Sequence, residues 1–255
     1  MTGDAELLIG ALGWGFAFVL VLSRTGAAVM LLPGLGEAEP PAMLRAGLAL
    51  GLTALVLPGV GIVAAPPDIW RAGGMVVAEL VCGAMLGWLA RLIALALPMA
   101  GHTISSMIGL SSIVQLDPAL GQTSALMRLF ALAVPVLVLS SGLYAMPVAA
   151  IAGSYRLIGP GSLLPAGDAA ETVLGAVAES FGLALRLASP FVLAGLLWQF
   201  ALGLMARAVP QLQVYFAAIP GQILGGLLLL SLLATSVVAA WMEAARAGFG
   251  LLPGL

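Results

Sequence analysis

Across 255 residues this chain is 62% hydrophobic and 8% charged, with a mean hydropathy of +1.17 and a formal net charge of -2. A soluble domain carries roughly 25% charged residues, so the composition identifies an integral membrane protein. The basic residues are nine arginines, scattered without a basic tract, which excludes a nucleic-acid surface. The single cysteine, Cys82, and single histidine, His102, exclude an internal disulfide and a Cys/His metal cluster.

Spans are read from apolar runs of about 20 residues with few charges. Residues 1–6 are acidic and lack the positive region of a signal peptide, so the first apolar run is expected to stay in the mature protein. That run is 7–32, with Arg24 inside it. The second is 43–64, closed by a Pro66-Pro67-Asp68 turn. The third is 71–97, with Glu79 and Arg91 inside. A polar, small-residue stretch follows at 102–122. The fourth run is 124–151, through Pro135 and Pro147, and 153–167 is a Gly/Pro-rich loop. The fifth runs from Asp168, an expected N-cap, to 205 through Pro190. The sixth is 214–246 through Pro220. No strand-like alternation is sustained. The reading is an all-α fold of about six apolar segments, with 1–255 forming one membrane domain. The arginine distribution favours an outside N-terminus.

The pairs Gly47/Gly51, Gly83/Gly87 and Gly221/Gly225 have the GxxxG spacing that lets membrane helices approach closely. With 33 glycines in the chain, chance matches are expected among the three. Charges inside apolar runs are costly and mark candidate sites. The clearest are Glu79, Arg91, Glu179 and Arg186. Glu179 and Arg186 lie seven apart, on one helix face but two turns from each other, so each is expected to pair with another helix. Interhelical pairing, a subunit interface and an ion-coupling site are the alternatives.

Two segments break the apolar pattern. Residues 207–213, Arg-Ala-Val-Pro-Gln-Leu-Gln, separate two charge-free runs. The backbone groups that Pro210 frees must find other partners, so the segment is either a turn between helices or a working part. Residues 109–122 contain Asp117-Pro118, where the proline biases Asp117 away from helix. This segment is either an ordinary turn or a plug-like loop that occludes a passage. Neither a Gly-x-Ser-x-Gly elbow nor a phosphate loop or nucleotide fingerprint occurs. No catalytic residue, cofactor or metal ligand is assigned. The rival class is a secondary transporter built on broken helices, with Glu79 or Glu179 as its coupling site.

Four patches in order resemble the FliR family of flagellar export-gate proteins. They are Arg24, Pro33, Pro41 and Arg45 before the 47–58 run; Glu79 with Gly83, Gly87 and Arg91; Gly109-Leu110-Ser111 leading to Asp117-Pro118; and 201–204 continuing through Arg207, Pro210-Gln211-Leu212, Phe216, Pro220 and Gly225. The chain departs from the family pattern at His102, Met107, Ser112, Gln115 and Gln213. The resemblance implies broken helical hairpins and a non-catalytic subunit of the type III export gate in the bacterial inner membrane, at the flagellar basal body. It implies a hetero-oligomer with FliP-like and FliQ-like subunits, associated FlhB-like and FlhA-like proteins, and unfolded flagellar proteins in transit. A virulence-system homologue has the same fold and is the alternative branch. By the same resemblance Ile113, Val114, Gln115, Leu116, Asp117 and Pro118 form the plug. Glu79, Arg91, Glu179, Arg186, Arg207, Pro210, Gln211, Leu212 and Pro220 are the candidate interface or motif residues.

Overall fold

The computed structural model describes residues 2–37, 41–110, 124–208 and 214–254. Among the described residues there are seven α-helices and no strand. They are α1 (Thr2–Leu31), α2 (Ala42–Val60), α3 (Ile69–Met107), α4 (Ala125–Ser140), α5 (Ala145–Leu157), α6 (Ala166–Ala208) and α7 (Val214–Phe249). By length and composition five helices suit a membrane crossing, or six if the bent pair α4 and α5 counts as one span.

Four boundaries differ from the sequence reading. Residues 102–107 were expected outside a helix, yet α3 continues to Met107. It stops at Gly109, which has φ +81. Leu110 N–H donates to Ser105 O at 3.0 Å and Gly109 N–H to Ser106 O at 3.4 Å, the bonding of a Schellman C-cap. Small, polar residues in a helix say little about where it ends; the left-handed glycine decides it. The fourth run is broken at Gly142 (φ +74) rather than at either proline, and α4 and α5 meet there at a 70° bend. Residues 153–157, read as loop, belong to α5. Asp168 is not the N-cap of α6 but lies inside its first turn, where a negative charge favours the helix dipole. A true side-chain cap does open α4, where Ser124 Oγ accepts Met127 N–H at 3.2 Å.

Among the described residues five prolines lie beyond the first turn of their helices: Pro58, Pro98, Pro135, Pro190 and Pro220. Each removes one hydrogen bond from its helix. At Pro190 the freed carbonyl is that of Arg186, and Ser189 Oγ donates to it at 2.7 Å. A neighbouring hydroxyl thus supplies the bond that the proline removed.

The helices pack as two units, one formed by Met1–Ile93, Pro135–Ala176 and Arg246–Leu255, the other by Ala94–Val134 and Val177–Ala245. In the first, α1 buries Ala17, Leu20, Val21, Arg24, Ala28 and Val29, a stripe at helical spacing. On α2 only Ala49 and Thr53 are buried, and Thr53 shares a 2.7 Å hydroxyl contact with Thr25. Against α3 the approach is closer. A Cβ at Gly83 would overlap the Arg24 carbonyl, and one at Gly87 would crowd the Ala28 carbonyl and Leu31 Cβ. In the second unit Gly101 admits Phe130, Gly195 admits Met107, and Gly226 admits Ile108. Gln222 Nε2 donates to the Met107 carbonyl at 2.8 Å, at the end of α3.

Of the three GxxxG pairs, then, Gly83/Gly87 is a backbone-to-backbone contact. Gly47 and Gly51 face open space, while Gly221 meets only the Trp198 ring, at 3.5 Å, and Gly225 nothing. Gly83→Leu is expected to abolish recovery of monodisperse chain from detergent, because the α1 backbone has no room to retreat. Gly47→Leu should leave recovery unchanged. Equal recovery of both variants would contradict the packing described.

Candidate functional site

The close α1–α3 contact brings two mid-helix charges together. Gly83 sits one turn after Glu79 on α3, and the backbone it touches is that of Arg24. Arg24 and Glu79 are both fully buried. Arg24 Nε donates to Glu79 Oε2 at 2.6 Å and Nη2 donates to Oε1 at 3.1 Å, the two-point geometry that suits a guanidinium and a carboxylate.

Helix α5 and the turn after it complete the site. Tyr155 Oη donates to Glu79 Oε2 at 3.1 Å, and Gly161 N–H donates to Oε1 at 2.6 Å. Each carboxylate oxygen therefore accepts two hydrogen bonds from the chain. Gly161 reaches this position with φ +73 and with Met75 packed where a side chain would be. Arg24 Nη1 donates to Ser154 Oγ at 3.0 Å and to the Ile158 carbonyl at 3.2 Å. The Tyr155 ring lies 3.8 Å from the guanidinium carbon, close enough for a cation–π contact. Ser154 in turn donates to Ile151 O at 2.7 Å.

A buried ion pair offsets its desolvation only when the remaining donors and acceptors are also satisfied. Here they are, from three helices at once, so the node fixes the register of α1, α3 and α5. The arrangement suits clamping more than proton or ion exchange. Glu79 would have to release four hydrogen bonds to bind anything else.

The other candidate residues are dispersed. Arg91 Nη2 pairs with Glu37 Oε2 at 3.2 Å, with both side chains about a quarter exposed (29% and 23%). An exposed pair of this kind contributes about 0–1 kcal/mol. Glu179, Arg186 and Arg207 are exposed on α6, and Pro220 is exposed on α7. Among the described residues none of these three charges has an ion pair within the chain. Ile113, Val114, Gln115, Leu116, Asp117 and Pro118 lie outside the described residues, as do Pro210, Gln211 and Leu212. Among the described residues no group of three His, Cys, Asp or Glu side chains could hold a metal ion. Sequence reasoning singled out Glu79 and Arg24 separately and missed Ser154, Tyr155 and Gly161. Their only sequence signal is the polar triplet Ser154-Tyr155-Arg156 at the end of an apolar run.

Removing one partner from such a buried pair costs about 3–5 kcal/mol, whereas exchanging both for apolar residues is often neutral. Glu79→Ala is therefore expected to deplete folded chain in the membrane, and Arg24→Met combined with Glu79→Leu to restore a substantial part of it. The check is chain recovered by size exclusion in mild detergent. A double variant no better than the single would show that the hydrogen bonds of Tyr155 and Gly161 outweigh the charge pair.

The chain matches the family of bacterial export proteins, family 1, over residues 16–247. Flagellar biosynthetic protein FliR of Caulobacter vibrioides is 32% identical over 234 residues, 91% of this chain and 93% of that protein. FliR of Bacillus subtilis is 30% identical over 213 residues, 80% of each chain. FliR of Aquifex aeolicus is 30% identical over 154 residues, 60% of each. With its apolar helices and this match over nearly its whole length, the chain is a multi-pass membrane protein that belongs to the FliR family of flagellar export proteins.

Proposed function

We propose that this chain is a non-catalytic subunit of the flagellar type III protein export gate. It sits in the bacterial inner membrane at the basal body and assembles with FliP-like and FliQ-like subunits. FlhB-like and FlhA-like proteins work with the assembly, and unfolded flagellar proteins pass through it. No cofactor takes part. The relatives that support this reading carry flagellar names, which favours the flagellar branch over the virulence branch.

The observation that carries the proposal is exposed surface that suits protein partners better than lipid. Glu179, Arg186 and Arg207 are exposed on α6 together with Phe181, Leu185, Leu193, Leu196 and Phe200. Charge in hydrocarbon is expensive, and neighbouring subunits remove that cost by pairing. Arg91, Pro220 and the 210–212 segment are assigned to the same assembly surfaces on sequence grounds. A transporter reading has less support. Glu79, one of its two candidate coupling groups, is enclosed by Arg24, Tyr155 and Gly161.

A passive gate needs a passage for an extended chain and a closure that stops ions. Apolar constrictions close by dewetting and yield to a passing chain. The reading assigns that closure to Ile113, Val114, Gln115, Leu116, Asp117 and Pro118, from the sequence and the family resemblance. Mid-chain charges paired across subunits hold the surrounding frame.

Co-expression with FliP-like and FliQ-like proteins, followed by mass measurement of the intact complex in mild detergent, tests the assembly. A discrete hetero-oligomer containing this chain is expected; a monomer or homo-oligomer that ignores those proteins would overturn the proposal. Deletion of residues 112–116 should leave that complex intact and make membranes leaky to small ions. Unchanged ion permeability would remove the plug assignment.

A further inference from the structure

The exposed charges of α6 are not scattered around the helix. Glu179, Gly182, Arg186, Ser189 and Leu193 follow the 3-4-3-4 spacing of a left-handed helix–helix seam. Glu179, Arg186, Ser189 and Leu193 are exposed and Gly182 is half-exposed. A Cβ built on Gly182 meets nothing within 4 Å. The chain itself therefore leaves this face open, at the point where the small side chains of Gly182 and Ser189 permit a close helix approach. Beside the seam is an open apolar groove of about 590 Å³. Gly182 belongs to both, with Phe181 and Leu185 on the α6 wall and Met99 and Met127 opposite.

We infer that this face receives one membrane helix of a different subunit. That helix carries a basic side chain level with Glu179 and an acidic one level with Arg186, about 10 Å apart along the axis, and a bulky apolar side chain for the groove. The inference rests on the multi-subunit reading above and adds the surface and the chemistry of the partner.

Charge order selects the occupant. A second copy inserted in the same orientation would set Glu179 against Glu179 and Arg186 against Arg186, which repel. An antiparallel copy would pair Glu179 with Arg186 twice, but it must enter the membrane upside down. A multi-pass chain has one orientation, set by its arginine distribution. Lipid tails fit no better, because hydrocarbon offers neither the glutamate nor the arginine a counter-charge. Methionines at the groove can adjust to an apolar side chain of another protein. A helix with the charge order basic then acidic meets each of these conditions.

Two variants of the whole chain test this, co-expressed with the other membrane subunits of its own flagellar export apparatus. Gly182→Leu fills space that is empty in this chain, so chain recovered from membranes should stay at the wild-type level. The Glu179→Arg/Arg186→Glu exchange keeps composition and net charge while inverting the order. Both are expected to lower the recovered complex by about tenfold or more: the leucine fills the space that close helix approach needs, and like charges juxtaposed by the exchange cost several times what a tenfold change requires. If both variants keep a wild-type yield of complex, α6 faces lipid or solvent and the inference is overturned. If only the exchange is tolerated, the charges are not read by a partner and the inference is equally overturned. A wild-type chain that forms no complex overturns the multi-subunit reading itself, so the two failures are distinguishable.

Discussion

The structure depends on one contact: the α1 and α3 backbones touching at Gly83 and Gly87. Without it the Arg24 guanidinium and the Glu79 carboxylate could not meet at 2.6 Å. Each would then be a solitary buried charge, which an apolar interior does not tolerate. The glycines set the distance, and the distance makes the charges compatible with burial. The bend at Gly142 places α5 in the same unit, and α5 brings Ser154, Tyr155 and the Ile158 carbonyl to the pair. Backbone geometry at a few glycines thus precedes the electrostatics of the site.

Helix length is the second constraint. At 1.5 Å per residue, the 39 residues of α3 and the 43 of α6 come to roughly 58 and 65 Å of helix. A bilayer core is about 30 Å thick. These helices are long beyond what a single crossing needs, and they remain apolar for most of their length. Surface of that kind outside hydrocarbon needs protein to cover it. Membership of a family whose named members serve flagellar biosynthesis supplies a setting in which such cover exists.

Much of the fold could be read from the chain, and the failures have physical causes. Apolar runs located five helices singly and read α4 and α5 as one, because burial in lipid or protein demands long charge-free stretches. Helix ends were less legible. Residues 102–107 look like a loop by composition, but the stop lies at Gly109, whose left-handed φ no composition reveals. The fourth run was read as one segment through Pro135 and Pro147, and both prolines do lie within helices, but the chain turns between them at Gly142. GxxxG spacing named three candidate crossings and could not rank them, since ranking needs to know what lies opposite. At the site, Glu79 was conspicuous as a charge in an apolar run. Tyr155 and Gly161 were not, because a phenol and a backbone N–H carry no penalty that marks them in sequence.

The two units differ in how they treat charge, and the difference bears on assembly. In the first, the mid-helix charges Arg24, Glu79 and Arg91 find partners inside the chain. In the second, Glu179, Arg186 and Arg207 are exposed, with no ion pair among the described residues. Internally paired charges cost little once the unit has formed, so Arg24, Glu79 and Arg91 place no demand on a partner. Open charges on a long apolar helix remain costly until something covers them. The free-energy gain from covering them therefore falls on the assembly step. On the proposed reading, a subunit built this way would couple its own stability to the presence of partners, because the exposed charges of α6 are the part of its surface least compatible with lipid.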